Sequence, residues 1–279
     1  MAIQKTEAFV LKTQPFRSSS LIVTTFSRTF GKLKGIVKGV RKEGLPHPST
    51  FEPFTLIEIV FYEKLRSELH LISESSILES FESLRSRLDV LATAYYFSEL
   101  ADQLTEAEDP HEEIFELLEF SFRWLPVFDM TFAMRFFELQ LLSEIGLLPN
   151  LEGCLGCGKE NPEQAFFSVR QGGLFCQECR RKSPDAALIR RPVLAAMKFL
   201  TGEKIEMSLQ ASFFGDKMAG LEKGVMKELG GLIERFITER LGKRLLTRRF
   251  LRQVEALHAI PAARRSPLNL QNSESRESI

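Results

Sequence analysis

All four cysteines of this 279-residue chain fall in one short segment, as Cys154-x2-Cys157 and Cys176-x2-Cys179, with 18 residues between the pairs. A C-x-x-C turn places two sulfurs on one side of a tight knuckle. Two facing knuckles form the tetrahedron that zinc accepts. Gly153, Gly156 and Gly158 flank the first knuckle, and Gly172 and Gly173 precede the second; such residues allow the positive φ that a chelating turn often requires. No histidine lies nearby, so four thiolates are the natural ligand set. Two disulfides or four unligated thiols are the alternatives. Zinc is favoured because the chain has no other cysteine and its start, Met1-Ala2-Ile3-Gln4-Lys5, has no apolar signal-like core. A single ion held by four protein ligands keeps no open position for water, so the expected role is structural.

Charge is balanced overall but unevenly placed. Residues 1–50 carry nine Lys and Arg against two Asp and Glu, residues 51–150 carry six against 20, and residues 151–279 carry 22 against 15. Two basic segments flank an acidic centre, which points to an anionic partner for the ends. No run of 18 apolar residues occurs, so no membrane span is expected, and the cytoplasm is the expected compartment.

The first 75 or so residues read as five strands with turns between them: about 7–13 (ended by Pro15), 20–27, 32–40, 54–62 and 68–73. Five short strands in so little chain predict a small closed barrel. Lys32, Lys34 and Lys38 share one parity of the third strand, and Leu33 and Val37 the other. From Leu78 the period becomes helical. Leu84, Leu88, Leu91 and Tyr95 mark one helix, Asp109-Pro110 opens a second, and Asp129 caps a third that runs to Gly146. Pro192 opens a short helix ending near Gly202, and a long one is expected from about Lys217 to Leu241. The tail after about Leu257 is rich in Ser, Asn and Glu and is expected to be disordered. The domain reading is therefore 1–79, a barrel; 80–150 and 183–256, two parts of a helical domain; 151–182, a four-cysteine insert; and 257–279, a tail. The fold class is α+β and multidomain.

Catalytic chemistry is hard to assemble. The four histidines are scattered, and His70 in a strand reads as structural. Gly31-x3-Gly35-x3-Gly39 has neither nucleotide-binding spacing, and no nucleophile elbow occurs. Binding chemistry is easier to see. Arg17, Arg28, Lys32, Lys34, Lys38, Arg41 and Lys42 crowd the first part of the barrel, interleaved with Phe16, Phe26 and Phe30. Cations plus stacking faces are the combination that binds single strands. A second cluster is Arg240, Lys243, Arg244, Arg248, Arg249 and Arg252. The bland account of that cluster is complementation of a helix C-terminal dipole.

Four stretches in this order carry a resemblance. They are EAFVLKT at 7–13 with FRSSSLIVTTFS at 16–27, GKLKGIVKGVR at 31–41, RFFELQLLSEIGLLP at 135–149 leading into the cysteines, and LGKRLLTRRFL at 241–251. Over about residues 3–252 the chain resembles the bacterial RecO family of recombination mediators. The resemblance implies an N-terminal OB-fold, a helical domain and a zinc element that some members lack. It implies binding of single- and double-stranded DNA, annealing of complementary strands, and partnership with RecR. It also implies capture of the C-terminal tail of single-strand binding protein, so that RecA can be loaded on coated DNA. No catalytic residue is implied. By position, Lys32, Lys34, Lys38 and Arg41 match the basic barrel strand, and the four cysteines match the zinc ligands. An acidic, apolar-ended tail needs an apolar cleft beside a cation, which directs attention to Arg123, Arg135, Arg190 and Arg191 of the helical domain. The competing readings are a nucleic-acid-processing enzyme with a structural zinc ribbon, and a scaffold whose basic patches are solvated faces.

Overall fold

The computed structural model describes residues 2–40, 49–64, 67–202 and 222–259. Five strands open the chain: β1 (Ile3–Phe16), β2 (Ser20–Ser27), β3 (Gly31–Val37), β4 (Leu56–Tyr62) and β5 (Leu69–Glu79). They close into a barrel in the order β1-β2-β3-β5-β4, with β3 and β5 parallel and the other pairs antiparallel. This is the five-stranded OB-type barrel expected from the sequence. Two strand ends differ. β1 continues through Pro15 to Phe16, because β4 pairs only with residues 3–9 of β1 and the later part has β2 alone beside it. A proline is tolerated where one side of a strand has no neighbour. β3 ends at Val37 rather than at Val40.

The register of β1 also shifts between Val10 and Lys12, where Leu11 is the extra residue. Ala8 and Val10 point into the barrel with Leu21, Val23 and Leu33. Simple alternation would send Lys12 inward as well. The bulge reverses parity, so Lys12 pairs with Thr24, and Thr24 with Lys34, in one row on the outer face.

Six helices follow among the described residues: α1 (Leu88–Leu104), α2 (Glu112–Trp124), α3 (Met130–Glu144), α4 (Arg191–Gly202), α5 (Lys223–Leu241) and α6 (Leu246–Ala259). The Asp129 carboxylate caps α3 by accepting from the Phe132 N–H at 3.1 Å. α3 is the central rod, with the whole run Phe132–Leu142 buried between α1, α2, α4 and α5. Inside it Arg135 donates to Glu138 at 2.6 Å, and the Tyr96 hydroxyl donates to the same oxygen at 2.6 Å. Burial pushes the Glu138 carboxyl up, and Arg135 and Tyr96 pull it back. The long C-terminal helix is described from Lys223, the residues before Glu222 as far back as 203 lying outside the described part. α6 is an element the sequence reading lacked, and it carries the helix past Leu257 to Ala259. Among the described residues no helix is long and apolar enough to cross a membrane.

Between α3 and α4 lies a four-stranded sheet of β6 (Asn150–Cys154), β7 (Ala165–Ser168), β8 (Gly173–Cys176) and β9 (Ala187–Ile189), ordered β6-β8-β7-β9.

The barrel and the helices share one core. Phe9, Leu11, Phe26 and Phe54 lie on the barrel's outer face and belong to the same buried cluster as Phe97, Phe115, Phe122 and Phe137. The Phe9 ring lies 5.0 Å from Phe115, 5.5 Å from Phe122 and 5.9 Å from Phe81. Phe9→Ala is therefore expected to destabilise by about 3–5 kcal/mol. Urea unfolding followed by both far-UV circular dichroism and tryptophan fluorescence of Trp124 is expected to show one shifted transition. A helical signal that unfolds at its wild-type midpoint in the variant would show that the seam does not couple the two parts.

Candidate zinc centre and nucleic-acid surfaces

The two knuckles meet because of strand direction. β6 and β8 run parallel, so Cys154 and Cys176, each the last residue of its strand, emerge at the same end of the sheet. The second sulfur of each pair returns through a tight turn. Gly158 N–H donates to the Cys154 carbonyl at 2.8 Å with φ +75°, and Cys179 N–H donates to the Cys176 carbonyl at 3.1 Å. Gly156 is required for packing, since a Cβ there would lie 2.8 Å from the Cys179 Cβ. All four Sγ atoms lie within 4.8 Å of one another, and Cys157 and Cys176 are 3.8 Å apart. A tetrahedral ion with Zn–S near 2.3 Å has sulfur–sulfur edges of about 3.8 Å. The cysteines are free thiols, three buried and Cys157 exposed, which removes the disulfide alternative from this arrangement.

The electrostatics prepare one ligand. Burial opposes charge on Cys154, but N–H groups of Cys176, Gly156 and Cys157 outweigh it and lower the thiol to about 6. Cys179 is pushed up to about 12 by burial and by hydrogen bonds to the other three sulfurs. Among the described residues this is the one grouping of His, Cys, Asp or Glu that could hold a metal ion.

The basic residues of the barrel divide into engaged and open groups. Lys32 is buried, and its Nζ donates to the carbonyls of Asp102 and Thr105, both at 2.5 Å. Burial lowers its pKa and the Asp102 carboxylate partly opposes this. Lys32 therefore ties the barrel to the end of α1 instead of facing solvent. Arg28 pairs with Glu7 and Glu112 at 3.1 and 3.2 Å and stacks on Phe115 at 4.2 Å. Arg17 lies over Phe16 at 5.2 Å in the β1–β2 turn. Lys34 is exposed, 3.8 Å from Glu68, and Lys38 is exposed just past β3. Arg41 and Lys42 lie outside the described residues. Of the three interleaved aromatics, Phe26 is fully buried and Phe30 packs edge-on against Phe61 at 5.4 Å, so neither offers an open stacking face. His70 is structural as expected: buried, accepting from Lys64 N–H and 3.0 Å from Glu108.

Lys12 is the residue that sequence reasoning missed. With Lys34, Gln14, Ile22, Thr24 and Leu69 it lines an 850 Å³ cleft on the barrel's outer face. No alternation signal could have found it, because the bulge at Leu11 is invisible in the residue pattern.

The second basic cluster is also divided. Arg240 stacks on Phe236 at 4.7 Å and packs against Gly172 of the four-cysteine sheet. Lys243 and Arg244 lie exposed in the turn between α5 and α6. Arg248 pairs with Glu234 at 3.1 Å, and Arg252 pairs with the same carboxylate. Arg249 is exposed. Arg248 and Arg249 fall in the first turn of α6, the wrong end for dipole complementation. With Ile237, Leu245 and Leu246, the side chains of Arg244, Arg248, Arg249 and Arg252 line a 490 Å³ groove between α5 and α6. Of the arginines considered for tail capture, Arg135 is only 3% exposed and is held by Glu138. Arg123 is held by Glu79 and Glu119, Arg190 by Glu228, and Arg191 by the Glu163 carbonyl.

The chain matches two family models, Recombination protein O N terminal over residues 1–81 and Recombination protein O C terminal over residues 85–249. It is 32% identical to a DNA repair protein RecO of Syntrophus aciditrophicus, over 92% of this chain and 98% of the relative. It is 28% identical to one of Desulforamulus reducens, over 90% and 94%, and 30% identical to one of an Anaeromyxobacter strain, over 91% and 97%. Domain models matched in the order of the two folded parts, and relatives aligned almost end to end, place the chain in the RecO family of DNA repair proteins.

Proposed function

We propose that this protein is a non-enzymatic mediator of DNA repair and recombination that acts at the bacterial nucleoid. It binds single- and double-stranded DNA, anneals complementary strands and, with RecR, helps RecA load on DNA coated by single-strand binding protein. The observation that carries the reading is the Lys12–Thr24–Lys34 row on the open part of the barrel's outer face, in a chain of a DNA repair family. A groove across the second and third strands is where OB-folds receive nucleic acid. Lys12 and Lys34 supply the cations, in place of the buried Lys32. Lys12→Glu with Lys34→Glu is expected to weaken binding to all DNA sequences alike, because phosphate contacts carry no base readout. The salt slope for single strands is expected to fall by about 0.7 for each phosphate that is no longer neutralised. Unchanged affinity and slope in an anisotropy titration would place the DNA surface elsewhere.

The four-cysteine site is proposed to hold one structural zinc through Cys154, Cys157, Cys176 and Cys179. Zinc contributes charge neutralisation and a rigid link between the two knuckles. Zinc would hold all four sulfurs as thiolates; N–H donors already favour that form at Cys154, while burial and the neighbouring sulfurs oppose it at Cys179. Elemental analysis is expected to find about one zinc per chain. Cys176→Ser is expected to lose it and to lower the melting temperature while DNA binding by the barrel persists. A metal-free native protein with four thiols reactive to a thiol reagent would refute the site.

The tail of single-strand binding protein is proposed to dock on the helical domain in a 600 Å³ cleft lined by Met130, Met134, Met226, Lys223 and Lys227. Met130 is half-buried at the cleft, and the buried Met134 and Met226 close its floor. Both lysines are exposed without a partner among the described residues. Of the carboxylates in the cleft, Asp89 pairs with Arg87 and Asp129 caps α3, so the lysines suit an acidic peptide ending in an apolar residue at the end of the cleft away from Glu255. Lys223→Glu with Lys227→Glu is expected to weaken binding of a tail peptide by about tenfold, while the Lys12 and Lys34 changes leave it intact. Loss of peptide binding in the barrel variant alone would move the dock to the OB-fold.

A further inference from the structure

The barrel cleft and the α5–α6 groove are joined by a third cleft. This junction cleft, 570 Å³, is walled by Leu11, Pro53 and Tyr95 and carries Lys243 and Arg244 on its rim. It shares Lys12, Asp102 and Gln103 with the barrel cleft, and Arg244, Leu245 and Leu246 with the α5–α6 groove. The three form one trough from β3, across the seam between barrel and helices, to the middle of α6.

The charge along the trough is one-sided once the internal pairs are removed. Asp102 faces the buried Lys32 ammonium. Glu99 accepts from the N–H groups of Leu246 and Thr247, both at 2.8 Å, and so caps α6. Glu234 is paired with Arg248 and Arg252. Glu68, at the barrel end, is a solvent-exposed partner of Lys34. Lys12, Lys243, Arg244 and Arg249 remain, exposed and without a partner among the described residues, spaced along the whole length.

The walls between these cations are apolar. Tyr95 is 40% exposed, with its ring held edge-on to Phe54 at 4.7 Å, and Leu246 is 83% exposed on the wall shared by two clefts. A fixed aromatic ring beside open cations is a platform for an unpaired base. A duplex keeps its base faces stacked inside and could use only the cations.

We infer that the two basic regions are the ends of one continuous track for a single DNA strand, crossing the domain junction over Tyr95 and past Lys243 and Arg244. This rests on the DNA-binding reading above and adds the path to it. Both ends engage the same strand, so their contributions act on one binding event. Phosphates meet Lys12 and Lys34 at one end, Lys243 and Arg244 at the crossing, and Arg249 at the other end.

The test uses the full chain and a fluorescent oligothymidylate of about 30 nucleotides, longer than the roughly 4–16 that an OB-fold alone covers. One strand is expected to bind per chain. Lys12→Glu and the pair Lys243→Glu with Arg244→Glu are each expected to lower affinity about tenfold, and together about a hundredfold. The substituted side chains have no partners among the described residues, and matching thermal unfolding curves check that the fold is kept. Separate surfaces give a different result: either variant alone keeps near wild-type affinity through the intact surface, and the wild type takes two strands per chain. That result overturns the track while leaving DNA binding in place. No binding of any oligonucleotide by the wild type overturns the DNA-binding reading itself.

Discussion

The packing of Phe9 and its neighbours against α2 is the contact on which the rest of the molecule depends. A barrel of five strands normally keeps its apolar residues inside and its outer face wet. Here part of the outer face is apolar, with Phe9, Leu11, Phe26 and Phe54 buried among helical phenylalanines. Burial of such side chains is worth about 1.5–3 kcal/mol each, so the two parts hold each other in one arrangement. The seam also brings backbone close to backbone. A Cβ at Gly31, where φ is +62°, would lie 1.9 Å from the Asp109 carbonyl oxygen, so glycine is obligatory there. Glu108 N–H donates to the Lys32 carbonyl at 2.9 Å beside it. The part of the outer face left open to solvent ends at this seam.

That edge explains which parts of the function were legible in the sequence. The convergence of the four cysteines was legible, because their spacing is local and its geometry follows from two turns. The strands and most helices were legible from periodicity, with Asp129 capping α3 where expected. The individual cations were not. Lys32 and Lys34 do share a face, as their parity requires, but the α1–α2 connection covers one and not the other. Lys12 was hidden by a bulge that reverses parity at Leu11. Arg135 looked like a surface cation, and its burial follows from a partner three residues on and a tyrosine from another helix. In each case the deciding contact comes from far along the chain or from one extra residue in a strand.

The four-cysteine sheet is fastened at both ends. At one end the knuckles converge on a single point. At the other, Phe167 meets Phe236 of α5 at 6.2 Å, and Arg240 lies on the Phe236 ring and against Gly172, where a Cβ would come within 2.3 Å of its guanidinium. The cysteines are thus remote in role from the basic trough, yet the same helix α5 carries both the sheet's anchor and one wall of the α5–α6 groove. Loss of the knuckles would loosen a sheet that packs on that helix through Phe167.

The start of α6 shows how much local unfavourable electrostatics the fold accepts. Arginines in the first turn of a helix oppose its dipole, typically at a cost of about 0.3–1 kcal/mol each. Arg248 and Arg249 both sit there. The fold offsets this with Glu99, reaching from α1 to receive the first two N–H groups of α6, and with Glu234, which neutralises Arg248 and Arg252. Arg249 receives no such partner among the described residues. A surface leucine or alanine at that position would satisfy the helix better, and so would any carboxylate. The positive charge of Arg249 is thus open to solvent and to any anion that meets this face. Lys243 and Arg244 stand at the opposite kind of helix end, just past the C-terminus of α5 that Gly242 closes in the left-handed conformation, where cations complement the dipole.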